Sequence, residues 1–504
     1  MKNIGLPEKL LGVHIHFVGI KGTGMAALVE ILHNKGAVIT GSDVEEHFYT
    51  DEILAKLGLK ALPFSSKNIT PEVQYVVYSS AYKLDKNPDL IEAVKNNVPC
   101  LLYTQALGSY SSRAYSCGIC GVHGKTSTTG LAGTILKYID ILPAQVLAGS
   151  VINSFGNTCT YTSPLIKDNK NFSENIFVAE TCEYQRHFMS FCPKKIVLTS
   201  VEPDHQDFYP TYADIQNAFV DYICLLPAGG DLIFCADDKG AAETADIAKK
   251  KRPDINLIPY GQNAIGDFKL TFGNIESEQN TFNIQIFSKK LAICVPGKHE
   301  VLDACAAVAL VCQLLKEKKL KPQDFYSLIS KGLLAFTGGK RRSEIIGKCK
   351  NSFGDSILVI DDYGHHPTAI KTTLSGYKEF YKGRKIVVDF MSHTYSRTQA
   401  LLSEFASSFD SADEIILHKI YSSARENPKD FSITGKTLFE QVKKKYSSDK
   451  TIVYYEEVLD ATDFVLSELQ KKAPLKYPDG YLFITMGAGD NWKLGAEILD
   501  KLKA

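Results

Sequence analysis

The sequence predicts an α/β protein of three domains, at residues 1–111, 112–335 and 336–504. The chain has 504 residues, which corresponds to about three domains at roughly 150 residues each. Apolar β-rich runs alternate with glycine-rich or polar turns and amphipathic stretches, a pattern typical of parallel α/β units. Near residues 267–295 the apolar residues alternate with period two, which predicts a small antiparallel patch inside the second domain.

Composition excludes several classes of function. The 57 Lys and Arg residues equal the 57 Asp and Glu residues in number, and a net charge of zero argues against a surface adapted to nucleic acid or to an anionic membrane. The longest apolar run, 304–312, is too short to insert in a membrane, and residues 1–12 lack the apolar core of a signal peptide. Twelve scattered cysteines indicate reduced thiols, so we expect a cytoplasmic protein.

The N-terminal domain opens with a strand, a glycine-rich turn and a helix, followed by two more strands, at 14–18, 19–24, 25–34, 37–40 and 73–78. Because Gly19, Gly22 and Gly24 lie between a strand and a helix, the turn suits a pyrophosphate. Asp43, after the second strand, is placed to accept a hydrogen bond from a ribose hydroxyl. The spacing GxxGxG differs from the dinucleotide fingerprint, so a turn without a ligand remains an alternative.

The central domain carries the strongest local motif, Gly121-Val-His-Gly-Lys-Thr-Ser127, which follows a short strand and opens a helix at Lys125. Backbone N–H groups of such a loop can face a phosphate, and the Lys125 ammonium can neutralise the β- and γ-phosphates. The Thr126 hydroxyl is placed to bind Mg²⁺. Ile119 stands where the full P-loop pattern requires glycine, so a plain glycine turn before a helix remains the alternative.

Two polar loops follow buried strands predicted at 175–179 and 195–199. The first loop contains Glu180 and Glu183, and the second ends in His205. The carboxyl ends of parallel strands meet at one edge of a sheet, and acidic and imidazole groups there can hold a divalent metal against a triphosphate. For either loop alone, the alternative is an ordinary solvent-exposed polar loop that binds no metal.

The C-terminal domain has five predicted strands, at 357–360, 385–388, 414–417, 451–455 and 481–485. The run 340–342 is either a phosphate contact or a plain basic turn. The segment 361–367 joins two acids to two imidazoles at a strand end, and Arg397 after another strand suits a bidentate carboxylate contact. The residues therefore indicate a nucleoside-triphosphate enzyme with a second anion site and a carboxylate clamp.

Taken in order, these motifs resemble the Mur ligase family of bacterial cell-wall synthesis over essentially the whole chain. The matching segments are 16–25, 41–43, 79–81, 121–129, 179–183, 202–205, 297–299, 336–344, 361–368 and 393–398. The segments 362–367 and 390–398 are most similar to the branch that joins L-alanine to UDP-N-acetylmuramate. Branches that add D-glutamate or later residues typically place a modified lysine some way after the Asp-His pair, and no lysine occurs here between Lys195 and Lys239.

The resemblance implies an ATP-dependent carbon–nitrogen ligase of peptidoglycan precursor synthesis that works through an acyl phosphate. Its substrates would be UDP-N-acetylmuramate and L-alanine, and its cofactors ATP and Mg²⁺ or Mn²⁺. The implied architecture is a Rossmann-like N-terminal domain that binds the UDP-sugar, a central P-loop-type mononucleotide-binding domain and a Rossmann-like C-terminal α/β domain that binds the amino acid.

The resemblance also implies roles for individual residues. Catalytic roles fall to Lys125, His366 and Arg397, although His365 and His366 cannot be separated as the group that acts on the amine. The implied metal ligands are Thr126, Glu180 and His205. The implied ATP-binding residues are Gly121, His123, Gly124, Lys125, Thr126, Ser127, His299, Arg341, Arg342, Asp361 and Asp362. The implied substrate-binding residues are Gly19, Gly22, Gly24, Met25, Asp43, Ser79, Ser80, Glu183, Tyr363, His365, His393 and Arg397.

Five positions depart from the family pattern. Lys21 replaces a glycine of the first loop, and Cys182 and Gln185 stand where acids are usual. Glu300 and Asp303 replace two asparagines of the adenine-binding segment. Three other functions stay open. They are a recycling ligase that joins an L-Ala-containing peptide to UDP-N-acetylmuramate, a UDP-sugar-binding member without ligase activity, and a nicotinamide oxidoreductase built on the first glycine-rich loop.

Overall fold

The computed structural model describes residues 5–166, 172–422, 426–446 and 448–503. It contains a four-stranded, a seven-stranded, a three-stranded and a six-stranded sheet. Three of these sheets are mainly parallel and the three-stranded one is antiparallel, which confirms the predicted fold class. The strands of each sheet fall between the predicted domain boundaries, which themselves stay a prediction.

The first sheet is parallel, with strand order β2-β1-β3-β4. Its elements are β1 His14–Val18, α1 Thr23–Asn34, β2 Val38–Ser42, α2 Thr50–Lys56, β3 Tyr75–Tyr78, α3 Pro88–Lys95, β4 Cys100–Leu102 and α4 Tyr103–Ser111. The strand β1 is central and its last four residues are buried, as its apolar run predicts. Consequently the glycine-rich turn after β1 lies at the carboxyl edge of the sheet.

The second sheet has the order β11-β10-β9-β5-β8-β6-β7 and is parallel except at the β6–β7 edge. Its elements are β5 Tyr115–Cys120, α5 Lys125–Ile139, β6 Ala144–Ile152, β7 Thr158–Thr162, β8 Ile176–Glu180, β9 Lys195–Leu198, α6 Tyr212–Ile223, β10 Asp231–Cys235, α7 Lys239–Lys251 and β11 Asn256–Tyr260. The strand β5 pairs with both β8 and β9. The phosphate-loop motif and the two polar loops therefore emerge side by side.

The period-two segment forms the predicted antiparallel sheet, with order β12-β13-β14. Its strands are β12 Leu270–Ile275, β13 Asn280–Ile284 and β14 Leu291–Ile293, and the helices α8 Lys298–Glu317 and α9 Tyr326–Ala335 follow. Helix α8 packs against α5, which brings the start of α8 close to the phosphate loop. Within the described ranges no helix has the length and apolarity needed to cross a membrane.

The third large sheet has the order β15-β16-β20-β17-β18-β19. Its elements are β15 Glu344–Lys350, β16 Ser356–Asp362, α10 Pro367–Phe380, β17 Arg384–Met391, α11 Tyr395–Ala400, α12 Leu402–Ala406, β18 Glu414–Leu417, α13 Gly435–Tyr446, β19 Thr451–Tyr454, α14 Thr462–Leu469, β20 Gly480–Gly487 and α15 Trp492–Lys503. Only β15 is antiparallel to its neighbour, and sequence reasoning missed it because its residues are only partly buried and carry several charges.

Candidate active site

The phosphate-loop motif forms a tight turn between β5 and α5, and two of its glycines are required by the geometry. Gly121 and Gly124 have φ angles of 137° and 80°. A Cβ atom at Gly121 would lie 2.0 Å from Thr199 Oγ1, and one at Gly124 would lie 2.4 Å from Asp303 Oδ1. Helix α5 has no side-chain cap at its N-terminus, so its first N–H groups are available to an anion.

Lys125 is largely buried beside Glu183, a carboxylate of the first polar loop, which follows β8. Its Nζ donates to Gly121 O at 2.5 Å and lies 3.2 and 3.1 Å from the two carboxylate oxygens of Glu183. Burial opposes the charge on Lys125, but the Glu183 carboxylate outweighs it and raises the pKa of Lys125. The ammonium is therefore charged and held at the phosphate loop.

Thr126 and Glu180 come together at the same edge. The Thr126 hydroxyl donates to Glu180 Oε2 at 2.9 Å, and the N–H of Gly149 donates to the same oxygen at 2.8 Å. Gly149 lies in β6, and a Cβ atom there would be only 2.3 Å from Glu180 Oε2. The glycine therefore leaves room for the Glu180 carboxylate. A hydroxyl and a carboxylate oxygen at this spacing suit Mg²⁺, a hard cation that prefers oxygen ligands.

His205 lies on the other side of the Lys125 ion pair. Its Nε2 is 3.4 Å from Glu183 Oε1, and its ring packs against Tyr184 with a centroid distance of 4.7 Å. The φ angle of His205 is 54°, which is uncommon for a residue other than glycine and is often found at functional sites. The structure thus joins Thr126 to Glu180 and joins His205 to Glu183.

The nucleotide-sized cavity beside the phosphate loop has a volume of about 350 Å³ and lies between the central and C-terminal domains. Its wall includes the predicted residues His123, Gly124, Lys125, Thr126, Ser127, Glu180, His299, Arg342, Asp362 and His365. Asp361 and Arg341 are absent from this wall: they pair with each other at 2.8 Å, and Arg341 also donates to Gly489 O and Gly487 O. Their observed contacts lie within the C-terminal domain.

The two departures in α8 line this cavity. Glu300 Oε1 accepts a hydrogen bond of 2.9 Å from the Ser127 hydroxyl, and within the described part of the chain Glu300 Oε2 has no hydrogen-bond partner. Burial raises the pKa of Glu300 to about 7, and burial together with Glu300 raises the pKa of Asp303 well above its usual value. Burial also lowers the pKa of His299 to about 4. The cavity wall therefore holds carboxyl groups that are protonated more readily than free ones.

Two further cavities lead from the first domain to the carboxylate of Glu180, which also borders the nucleotide cavity. A cavity of about 150 Å³ is lined by Gly22, Thr23, Gly24, Met25, Ser79, Ser80, Leu102, Tyr103, Thr104 and His187. A cavity of about 250 Å³ shares Tyr103 and His187 with it and extends to Glu180. Because Glu180 also borders the nucleotide cavity, a ligand of the first domain and a nucleotide can meet there.

Gly19 and Asp43 do not line these cavities. The carboxylate of Asp43 accepts hydrogen bonds from the N–H groups of Lys21 and Val44, at 2.7 and 2.8 Å, and from the Tyr82 hydroxyl at 3.1 Å. The Lys21 ammonium donates to Glu46 O at 2.7 Å. In this structure both side chains therefore stabilise the turn after β1.

Arg397 spans two domains. Its Nη2 and Nε lie 2.9 and 3.2 Å from Oδ1 of Asp204, and both residues are buried. Arg397 lies in the first turn of α11. The N-cap of this helix is Thr394, which has a φ angle of 67° and whose hydroxyl accepts a hydrogen bond from the backbone N–H of Arg397. The ring of His365 lies 5.0 Å from that of Tyr363 and 6.3 Å from that of His393. These predicted amino-acid contacts thus cluster at one end of the third sheet.

Sequence reasoning gave no individual role to four residues of this region: Glu202, Asp204, Tyr103 and His187. Glu202 contacts His123 and lies 3.8 Å from His366 Nδ1. The acids of 202–205 are visible in the sequence, but only the fold shows that they face the C-terminal domain. Tyr103 and His187 belong to no motif, so the sequence offers no signal for them.

Comparisons with known proteins agree along the whole chain. Residues 14–115 match the family model described as Mur ligase family, catalytic domain, residues 119–311 the Mur ligase middle domain, and residues 341–489 the Mur ligase, glutamate ligase domain. The UDP-N-acetylmuramate–L-alanine ligase of Treponema pallidum is 44% identical over 505 aligned positions, covering 100% of this chain and 99% of that protein. The ligase of the same name from Borreliella burgdorferi is 36% identical over 95% of this chain and 97% of its own.

Solved structures show the same fold. The UDP-N-acetylmuramate–alanine ligase of Thermotoga maritima superposes with a TM-score of 0.71 at 22% identity, covering 97% of this chain and 99% of that chain. A murein peptide ligase from Psychrobacter arcticus gives a TM-score of 0.67 at 23% identity, with the same coverage.

Proposed function

Because the chain belongs to the Mur ligase family, we propose that it joins L-alanine to the carboxylate of UDP-N-acetylmuramate at the expense of ATP. This is the reaction named for the relatives that match its full length. The product is a precursor of peptidoglycan. We also propose that the protein works in the cytoplasm, where ATP and sugar nucleotides are available.

The observation that carries this proposal is the meeting of two cavities at Glu180. The cavities that begin at the glycine-rich turn of the first domain reach Glu180 from one side, and the nucleotide cavity reaches it from the other. A sugar nucleotide held by the first domain would present its carboxylate there, next to the γ-phosphate of ATP. This arrangement supports phosphoryl transfer between the two ligands.

In the proposed reaction the sugar carboxylate attacks the γ-phosphate, which gives an acyl phosphate and ADP. The amine of L-alanine then attacks the acyl carbon and releases phosphate. Lys125, fixed by Glu183, stabilises the negative charge that moves between phosphate oxygens. The N–H groups at the start of α5 support the same charge.

The residues present fit a magnesium ion. Thr126 Oγ1 and Glu180 Oε2 would hold it, and when bound it supplies charge neutralisation between the phosphates and the approaching carboxylate. We further propose that His205 belongs to a second metal position, because its imidazole lies beside the Lys125–Glu183 pair. Imidazole is an unusual ligand for Mg²⁺, so this position would favour Mn²⁺.

The hydrogen bonds of the two adjacent histidines, His365 and His366, support different roles for them. His365 Nδ1 lies 3.0 Å from the carbonyl oxygen of Tyr363, so it must donate, and the lone pair of the neutral ring is at Nε2. His366 Nδ1 instead accepts a long hydrogen bond of 3.4 Å from Thr368 N. Burial lowers the pKa of both imidazoles. We therefore propose that His365 accepts the proton of the attacking amine and that His366 orients the site.

The deciding experiment measures release of inorganic phosphate from ATP. The proposal requires that release depend on both UDP-N-acetylmuramate and L-alanine together. Preference for an L-Ala-containing tripeptide over L-alanine would identify a recycling ligase instead. Binding of the UDP-sugar without phosphate release under any amino acid would indicate a member without ligase activity.

A further inference from the structure

The side chains of His123, Glu202 and His366 converge at the boundary between the central and C-terminal domains. One potential ligand atom from each lies within 4.8 Å of the other two. His123 belongs to the phosphate loop, Glu202 follows β9, and His366 is the N-cap of α10. The proposed ligation chemistry takes its charges from Lys125, Thr126 and Glu180 and gives His366 an orienting role, but it assigns no role to the convergence of His366 with His123 and Glu202.

Glu202 is oriented toward both imidazoles. Its Oε1 contacts His123 Nε2 and lies 3.8 Å from His366 Nδ1. Its Oε2 accepts a hydrogen bond of 3.1 Å from the Thr368 hydroxyl. A partner that fixes the second oxygen of a carboxylate is the arrangement by which proteins orient metal ligands.

The lone pair of His366 Nδ1 is weakly used. The hydrogen bond that it receives from Thr368 N is 3.4 Å long, beyond the usual range of about 2.7–3.2 Å. The other ring nitrogen, Nε2, is buried and has no hydrogen-bond partner among the described residues. Both ring nitrogens of His366 are therefore weakly used by the described residues, which leaves a nitrogen lone pair for a metal ion.

From this geometry we propose that His123, Glu202 and His366 form a transition-metal site, of the Zn²⁺ class, that bridges the central and C-terminal domains. Two imidazoles and one carboxylate suit Zn²⁺ and Co²⁺ rather than Mg²⁺, which takes oxygen ligands. Three protein ligands leave at least one position open, and His123 and Glu202 border the nucleotide cavity. The site is distinct from the Thr126–Glu180 pair, and it exists only while the two domains are together.

The test uses the full chain, stripped of metal and free of nucleotide, so its outcome is independent of the ligase activity. Zn²⁺ is titrated by calorimetry, and Co²⁺ by its visible absorption, which reports nitrogen ligation. Wild-type protein should bind one Zn²⁺ at this site, and Zn²⁺ should raise its Tm. Glu202→Gln and His366→Gln should each weaken Zn²⁺ binding by about tenfold or more and remove the increase in Tm.

Two control variants keep the result specific. His47→Gln removes an imidazole that is 74% exposed and paired with Asp51, and Glu180→Gln removes a carboxylate of the proposed magnesium site; both should bind Zn²⁺ like wild type. The proposal is overturned if wild type binds no Zn²⁺, if both site variants bind it unchanged, or if binding is lost in Glu180→Gln instead. If one site variant fails to fold, two measurements still test the proposal. His123→Gln should weaken Zn²⁺ binding as the other site variants do, and the Co²⁺ spectrum of the wild type should show nitrogen ligation.

Discussion

Arg397 of the C-terminal domain is bound to Asp204 of the central domain through two hydrogen bonds to one carboxylate oxygen, at 2.9 and 3.2 Å. Burial opposes ionisation of Asp204, but the Arg397 guanidinium outweighs it and holds the pKa of Asp204 well below its usual range. The pair therefore stays charged at physiological pH. If Arg397 binds the carboxylate of the amino acid, as we propose, it would do so through its remaining N–H groups, whose direction Asp204 fixes.

Replacing Asp204 should consequently impair amino-acid binding. Asp204→Asn should raise the KM for L-alanine while changing the KM for ATP little, because the guanidinium loses its orientation. Asp204→Ala, which leaves the buried guanidinium unpaired, should cost about 3–5 kcal/mol in stability. Steady-state kinetics and thermal unfolding measure both effects. Asp221→Ala is the control: it breaks the half-exposed Arg186–Asp221 pair and should cost less than about 1 kcal/mol. Equal effects of the two alanine variants would contradict the role of Asp204.

Lys125→Ala should abolish ligation and leave UDP-sugar binding near normal. The charge that Lys125 supplies lies at the phosphate loop, whereas we propose that the first domain binds the sugar nucleotide. Losing a buried charge-assisted phosphate contact should cost several kcal/mol of transition-state stabilisation. Lys137→Ala, on the exposed face of the same helix, should keep wild-type turnover. If Lys125→Ala retains more than about a tenth of wild-type turnover, a loss of under 1.4 kcal/mol, the assignment is wrong.

The enzyme should prefer L-alanine, use glycine and L-serine poorly and leave D-glutamate unreacted. Arg397 would hold the carboxylate of the amino acid, and the Tyr363 ring, 5.0 Å from that of His365, would limit side-chain size. Discrimination of a single methyl group is worth only about 1–3 kcal/mol, so some use of neighbouring amino acids is expected. Competition assays measure the ratios of kcat/KM. A tripeptide that outcompetes L-alanine would instead favour the recycling reaction.

Metal titrations should separate Glu180 from His205. Glu180→Ala should nearly abolish activity at any metal concentration, because the metal position that we propose at Thr126 and Glu180 would lie at the phosphates of ATP. His205→Ala should raise the metal requirement and lose an Mn²⁺ advantage, with ATP binding less affected. Glu243→Ala, a change in an exposed i,i+4 pair on α7, is the matched control. Identical Mg²⁺ and Mn²⁺ profiles for wild type and His205→Ala would remove His205 from the metal site.

The affinity for ATP should fall as the pH rises through 7. Burial raises the pKa of Glu300 to about 7, so its carboxyl group is mostly neutral below that pH and anionic above it. The anion would repel the phosphates in the same cavity, which should weaken ATP binding several-fold between roughly pH 6 and pH 8. Glu300→Gln should flatten this dependence. Binding of a non-hydrolysable ATP analogue at both pH values measures it, with Glu243→Gln as the control.

Stability should follow the same titration. The pKa of Glu300 in the folded protein lies above its ordinary value of 4.5, so its favourable contribution is fully present below pH 4.5 and is lost as the pH rises through 7. Glu300→Gln should therefore gain stability relative to wild type across that interval. Parallel pH profiles of Tm for the two proteins would contradict the assignment.

Local pattern predicted the strands that lead into the candidate site, whereas β4, β6, β7, β10, β11 and β15 were not predicted. The strands β1, β8, β9 and β16 are buried apolar runs, and their periodicity is visible in the sequence. The edge strands β7 and β15 were not predicted, because a strand with one free edge and partial exposure need not be apolar. The helix α5 was predicted from the glycines and lysine that begin it.

By itself the sequence determined the fold class, the family and the elements that carry Lys125, Thr126 and Glu180, since backbone pattern and motif spacing are local properties of the chain. Only the tertiary structure decided which side chains meet. Asp204 pairs with Arg397 across 193 positions of sequence, and Glu202 faces His366 across the same domain boundary. Such contacts depend on how the central and C-terminal domains pack against each other. The spacing of residues within either domain's motifs does not encode the distance between side chains of different domains.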